Sequence, residues 1–136
     1  MLEAYLMLSG RLRRRGYFGY SILLWIIMFV VTPLAGWAAS QAPEHPQVAE
    51  ILVIAILGVF VIWATVALAA KRLHDRNHSG WWALLMLPGV GYSLSYTSQA
   101  ASWTIGAGAG GLGLLFFLYL VFAPGSVGPN RFGYPP

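Results

Sequence analysis

Lys71-Arg72-Leu73-His74-Asp75-Arg76-Asn77-His78-Ser79-Gly80-Trp81-Trp82 is a charged stretch standing between two long apolar runs. It holds three of the eight Lys and Arg residues, two of the three histidines and one of the four acids. Upstream, Ile51 to Ala70 carries no charge, and downstream only His78 can become charged near neutral pH between Arg76 and Arg131. Tyr17 to Pro43 is a further charge-free run. A helix needs roughly 20 apolar residues to cross hydrocarbon about 30 Å thick. Charge in the 71–82 stretch therefore stands at the membrane surface, and the apolar runs on either side are spans.

Composition agrees. Charged residues make up 9% of the chain and hydrophobic ones 58%, whereas a soluble domain carries about 25% charged residues. The 136 residues form a single membrane domain, 1–136, of the all-α polytopic class. A net charge of +4 suits an anionic lipid face better than nucleic acid. With no cysteine present, disulfides, thiol catalysis and Cys-based metal sites are excluded.

Taken in order, Met1 to Ser9 has Leu2, Tyr5, Leu6 and Leu8 at roughly helical spacing and is expected either along the interface as one or two helical turns or disordered. Arg11, Arg13, Arg14 and Arg15 follow either as a topology signal, since positive residues hold a loop on the cytoplasmic side, or as a phosphate or headgroup site. Span one is expected over 17–39, with Tyr17, Tyr20 and Trp37 as interfacial anchors. Its apolar run exceeds the 7–15 residues typical of a signal-peptide core, so it is read as an uncleaved span. Ser40 to Glu50, with two acids, two prolines and no Lys or Arg, reads as a loop on the far side. Span two covers 51–70 and runs into Lys71 and Arg72, whose long side chains reach the interface. Asn77 tolerates the left-handed conformation that closes helices, and Ser79 is an N-cap for the next helix.

The region from Trp81 to Ala123 is long enough for two crossings, 81–100 kinked near Pro88 and 103–122. The alternative is three spans plus a re-entrant segment. Four spans place all eight Lys and Arg in the cytoplasmic N-terminus, the 71–80 loop and the C-terminal tail; three would strand Arg131 outside. The expectation is thus a multi-pass protein of the bacterial inner membrane with both termini cytoplasmic. In the last span, Gly106-Ala107-Gly108-Ala109-Gly110-Gly111 imitates a dinucleotide fingerprint, but no acid occurs after Asp75. Gly106 and Gly110 instead have the spacing that lets transmembrane helices approach closely, within a chain or in a homo-oligomer.

Three segments together resemble one known family: Ser9-Gly10-Arg11-Leu12-Arg13-Arg14; Lys71-Arg72-Leu73-His74-Asp75 with Ser79-Gly80-Trp81-Trp82; and Pro124-Gly125-x-x-Gly128-x-Asn130-Arg131-Phe132-Gly133. The set is similar to DUF805, small bacterial inner-membrane proteins. The resemblance covers nearly the whole chain. It implies a helical inner-membrane protein and supplies no mechanism, substrate or site residue.

Four-span threading brings Arg11, Arg13, Arg72, His74, Asp75, Asn130 and Arg131 to one face. Two readings of this cluster stand. In one it is a structural clamp, with Asp75 and Asn130 pinning loops through charge-assisted hydrogen bonds. In the other, the surplus of arginines over one acid holds an anion such as a lipid phosphate. Metal binding by His74 and His78 lacks further ligands, and no cofactor is expected. A Ser79-His74-Asp75 hydrolase lacks a nucleophile elbow. The reading is a non-catalytic scaffold or lipid-interacting membrane protein whose partners are membrane lipids, anionic ones included. The alternative is a small transporter or channel subunit, for which Ser93, Ser95, Thr97, Ser98 and Gln99 would supply the polar track.

Overall fold

The computed structural model describes residues 5–41, 46–88 and 103–135. These form three α-helices, α1 (Arg14–Ser40), α2 (Pro46–Asp75) and α3 (Trp103–Phe122), with a 3-10 helix at Gly80–Met86 between the second and third. Among the described residues there is no strand, only an isolated bridge between Asn130 and Gly133. Both α1 and α2 are long and apolar enough to cross a membrane. The outer surface fits that setting. Phe29, Ile56 and Val59 are 83%, 69% and 69% exposed, a display of apolar side chains that water would penalise and lipid does not.

Helix ends follow local chemistry. Pro46 opens α2, a position where its missing N–H is no loss. The expected loop at 40–50 is therefore shorter at its second end, and residues 42–45 lie outside the described set. At the other end α2 outlasts the apolar run by a full turn and stops at Asp75. Asn77 sits at φ 60°. The His78 N–H donates to the Leu73 carbonyl at 2.9 Å and the Asn77 N–H to His74 at 3.0 Å. This pair of bonds is the Schellman closure. Ser79 then caps the next segment, its hydroxyl accepting from the Trp81 N–H at 3.5 Å. That segment winds as 3-10 helix through Met86 before Leu87 and Pro88 turn α-helical. The rest of the expected span 81–100 falls outside the described residues.

The core gathers on the second half of α2. Ala64, Ala67, Leu68, Ala69, Ala70 and Leu73 are all buried. Four of the six are alanines, and small side chains on several helix faces let neighbours approach from every side. Tyr17 and Leu24 of α1, Ala83 and Met86 of the 3-10 helix, and Leu120 of α3 close around them. The chain's first described residues add a further layer. Tyr5 is buried and donates its hydroxyl to the Tyr20 carbonyl at 3.0 Å. The Trp63 indole donates to the Leu6 carbonyl at 3.1 Å.

The glycines of α3 divide. Gly110 and Gly113 line a cavity of about 360 Å³ shared with Tyr17, Ser21, Thr65 and Phe117. A methyl group at Gly108 or Gly111 would meet nothing within 4 Å. The side-chain surroundings of Gly106 lie outside the described set.

Candidate functional site

Asp75, the last residue of α2, is 5% exposed and takes a guanidinium on each carboxylate oxygen. Oδ1 accepts from Arg11 Nε at 3.1 Å and Nη2 at 3.0 Å. Oδ2 accepts from Arg72 Nη1, one helical turn back. Arg72 is fully buried and Arg11 nearly so. Two buried cations against one anion would be costly if the excess charge had no partner.

The partners are main-chain carbonyls. Arg72 Nε donates to Leu120 at 2.9 Å, Nη2 to Ala123 and Nη1 to Leu12 at 3.3 Å. The last carbonyls of a helix lack internal donors and carry the negative end of its dipole. Arg72, rooted in α2, thus caps the end of α3. Arg11 reaches the tail in the same way, donating to Ser126 O at 3.0 Å, Gly128 O at 2.8 Å and Gly133 O at 3.1 Å.

The tail in turn caps α2. Both the N–H and the hydroxyl of Ser126 donate to the Asp75 carbonyl at 2.8 Å. Asn130 Nδ2 donates to the His74 carbonyl at 2.9 Å, and Arg131 Nη2 to that of Asn77 at 3.0 Å. Asn130 Oδ1 also accepts from the Phe132 N–H at 2.9 Å, which fixes the turn that carries it. Phe132 stacks on the His74 imidazole with centroids 3.9 Å apart, while His74 Nδ1 lies 3.2 Å from the Gly10 carbonyl. Two helix C-termini lie side by side here, each capped by residues of the other's segment. Their joint negative potential accounts for the excess of arginine over aspartate.

Six of the seven predicted site residues come together: Arg11, Arg72, His74, Asp75, Asn130 and Arg131. Arg13 does not join them; it is exposed, as are Arg14 and Arg15. These three rim a groove of about 720 Å³ whose apolar wall is Phe18, Val121 and Phe122 and whose floor includes Arg11 and Asp75.

Two glycines matter more than their sequence context reveals. A Cβ on Gly125 would lie 2.1 Å from Asp75 Oδ2, and one on Gly80 would lie 2.9 Å from His74 Nε2. Both are close approaches that only glycine permits. Gly125 and Ser126 escape sequence reasoning because their partner is 50 residues away. Gly125's place in the tail motif is the one signal that points to it, while Ser126 stands at an unspecified position of that motif.

The arrangement ties the two helix ends to the tail. His74, Asp75 and Ser79 face different partners and form no relay. Among the described residues no three His, Cys, Asp or Glu side chains gather as a metal set.

The family profile described as "Protein of unknown function (DUF805)" matches residues 5–134. The chain belongs to the DUF805 family. Among its relatives in Escherichia coli (strain K12), the inner membrane protein YhaH is 29% identical across 78% of this chain and 85% of its own length. The inner membrane protein YhaI is 26% identical across 100% of this chain and 91% of its own. The uncharacterized protein YiiR is 32% identical over 71% of this chain, which covers 56% of YiiR. No solved structure matches. The DUF805 chain is thus a helical membrane protein, and its three motifs meet in the clamp. The first contributes Arg11, the second Arg72, His74 and Asp75, and the third Gly125, Asn130 and Arg131.

Proposed function

We propose that this DUF805 protein is a non-catalytic, four-span inner-membrane scaffold that contacts anionic lipid at its basic cytoplasmic face. The observation that carries this reading is the division of the arginines. Arg11 and Arg72 are engaged by Asp75 and by carbonyls, whereas Arg13, Arg14 and Arg15 stand exposed on the groove rim. Juxtamembrane basic residues are attracted to an anionic surface by about 1 kcal/mol each. The transporter alternative needs a polar track, and the residues named for it, 93–99, fall outside the described set. Among the described residues, the interhelical cavity offers as polar side-chain groups the hydroxyls of Tyr17, Ser21 and Thr65 and the indole N–H of Trp25, with no charged group.

Lipids extracted with the protein in polymer-bounded native discs should be enriched in anionic species over the bulk membrane. The combined substitution Arg13→Gln, Arg14→Gln, Arg15→Gln should abolish that enrichment. Equal enrichment in wild type and variant would overturn the reading.

Threading is tested separately. Single cysteines at Ser9, His78 and Val127, all exposed, should react with membrane-impermeant reagent only from the cytoplasmic side, and one at Gln47 only from outside. Labelling at Val127 from outside would eliminate the four-span arrangement.

A further inference from the structure

The groove beside the clamp has features of a built lipid site. We propose that it holds the headgroup of one anionic glycerophospholipid, its phosphate among Arg13, Arg14 and Arg15, its glycerol and first acyl carbons against Phe18, Val121 and Phe122. This rests on the reading of the basic face as lipid-contacting and adds a position, a stoichiometry and a chemical class.

Size comes first. A volume of about 720 Å³ lies within the roughly 300–1,000 Å³ of small-molecule sites. Charge selects the occupant. Five arginines and one carboxylate line the groove, and that carboxylate is already bridged by Arg11 and Arg72. The N–H groups left to meet a ligand belong to the three rim arginines, and guanidinium is the side chain that best matches phosphate oxygens. The first turn of α1 contains no acid, and its N-cap residue Arg13 makes no side-chain cap bond. The helix's leading N–H groups add to the positive field there.

Polarity then separates a lipid from a free phosphate. Phe18 lies one turn beyond Arg14 along α1, about 6 Å deeper at 1.5 Å per residue. Phe122 ends α3 and is 71% exposed. The groove thus joins a charged rim to an apolar wall, the two chemistries of a lipid's phosphate and its chains. An inorganic anion would make no use of that wall. A headgroup bearing its own ammonium, as in phosphatidylethanolamine, would be repelled by the arginine rim, whereas phosphatidylglycerol would not.

Native mass spectrometry of the full chain in mild detergent tests this, with phosphatidylglycerol, phosphatidylethanolamine of matched chains, and soluble glycerol phosphate as probes. The expected result is one phosphatidylglycerol per chain, retained about tenfold more strongly than phosphatidylethanolamine, a difference of about 1.4 kcal/mol. Val121→Trp should fill the groove and lower that retention about tenfold while leaving the rim charge intact. Should this variant fail to fold, Phe122→Gln alters the exposed end of the same wall and should lower retention likewise. Unchanged phosphatidylglycerol binding in the folded wall variant would overturn the groove while leaving the anionic-face reading in place. Gradual uptake of many lipids without a plateau at one would do the same. Glycerol phosphate binding as tightly as the lipid would overturn the lipid occupant. No preference for phosphatidylglycerol over phosphatidylethanolamine in the wild type would overturn the lipid class, and the anionic-face reading would then be judged by the extracted-lipid comparison.

Discussion

Asp75→Asn is expected to lower the thermal stability of the protein in detergent by roughly 3–5 kcal/mol, the range for removing one partner of a buried ion pair. The substitution preserves shape and removes charge. Arg11 and Arg72, both buried, would keep their carbonyl partners but lose the anion they share. The asparagine NH2 would also point donors at a guanidinium, which has only donors to offer in return. The expected signature is a lowered melting temperature together with faster amide exchange in 124–133, because Arg11 ties Asp75 to the Gly128 carbonyl and Ser126 bonds the tail to the Asp75 carbonyl. An unchanged melting temperature would show that the clamp arginines are neutralised by helix-end carbonyls alone.

Gly125→Ala is expected to be of comparable severity, about 3 kcal/mol or more, although it adds a single methyl group. That methyl would stand 2.1 Å from Asp75 Oδ2 and 2.9 Å from its Cγ. The carboxylate cannot retreat without leaving Arg72, so either the ion pair or the tail must move. Overpacking alone costs about 1–3 kcal/mol, and here the displaced group is one end of a buried pair. Because both substitutions act on the same oxygen, the double variant should be clearly less damaged than the sum of the two. Additive losses would mean that Gly125 touches something other than the clamp.

The contrast between these residues shows what could be read from the chain. Asn77 and Ser79 were legible as helix stop and start because capping is decided by the residue and its immediate neighbours. The apolar runs were legible for the same reason, although α2 continues past Ala70 to Asp75, where hydropathy no longer marks helix. The convergence of the three motifs followed from the one-sided placement of positive charge. Which arginine would turn inward did not follow. Arg11 lies just ahead of α1 and faces Asp75, while Arg13, two residues on, is exposed. That choice is made by the path of an extended segment pinned by the Leu12 N–H on the Lys71 carbonyl at 3.2 Å. Nor could the surplus of positive charge be interpreted from composition. The carbonyls that absorb it carry no mark in a sequence, since every residue has one. The resting place of Tyr5 beside Tyr20 was equally hidden, because a lone tyrosine near a chain start has many possible neighbours.

Arg11 is bonded to carbonyls at Gly128 and Gly133, separated from it by 117 and 122 positions. Translation therefore makes Arg11 well before the carbonyls that receive its N–H groups. While the ribosome is still making α3, Arg11, Arg72 and Asp75 already exist, and the groups that complete their coordination do not. The nascent protein must pass through an interval in which its most polar buried cluster is open on one side. The segment after α3 closes it, through Ser126, Gly128 and Gly133. In this fold a stretch made late acts as the keystone of one made early.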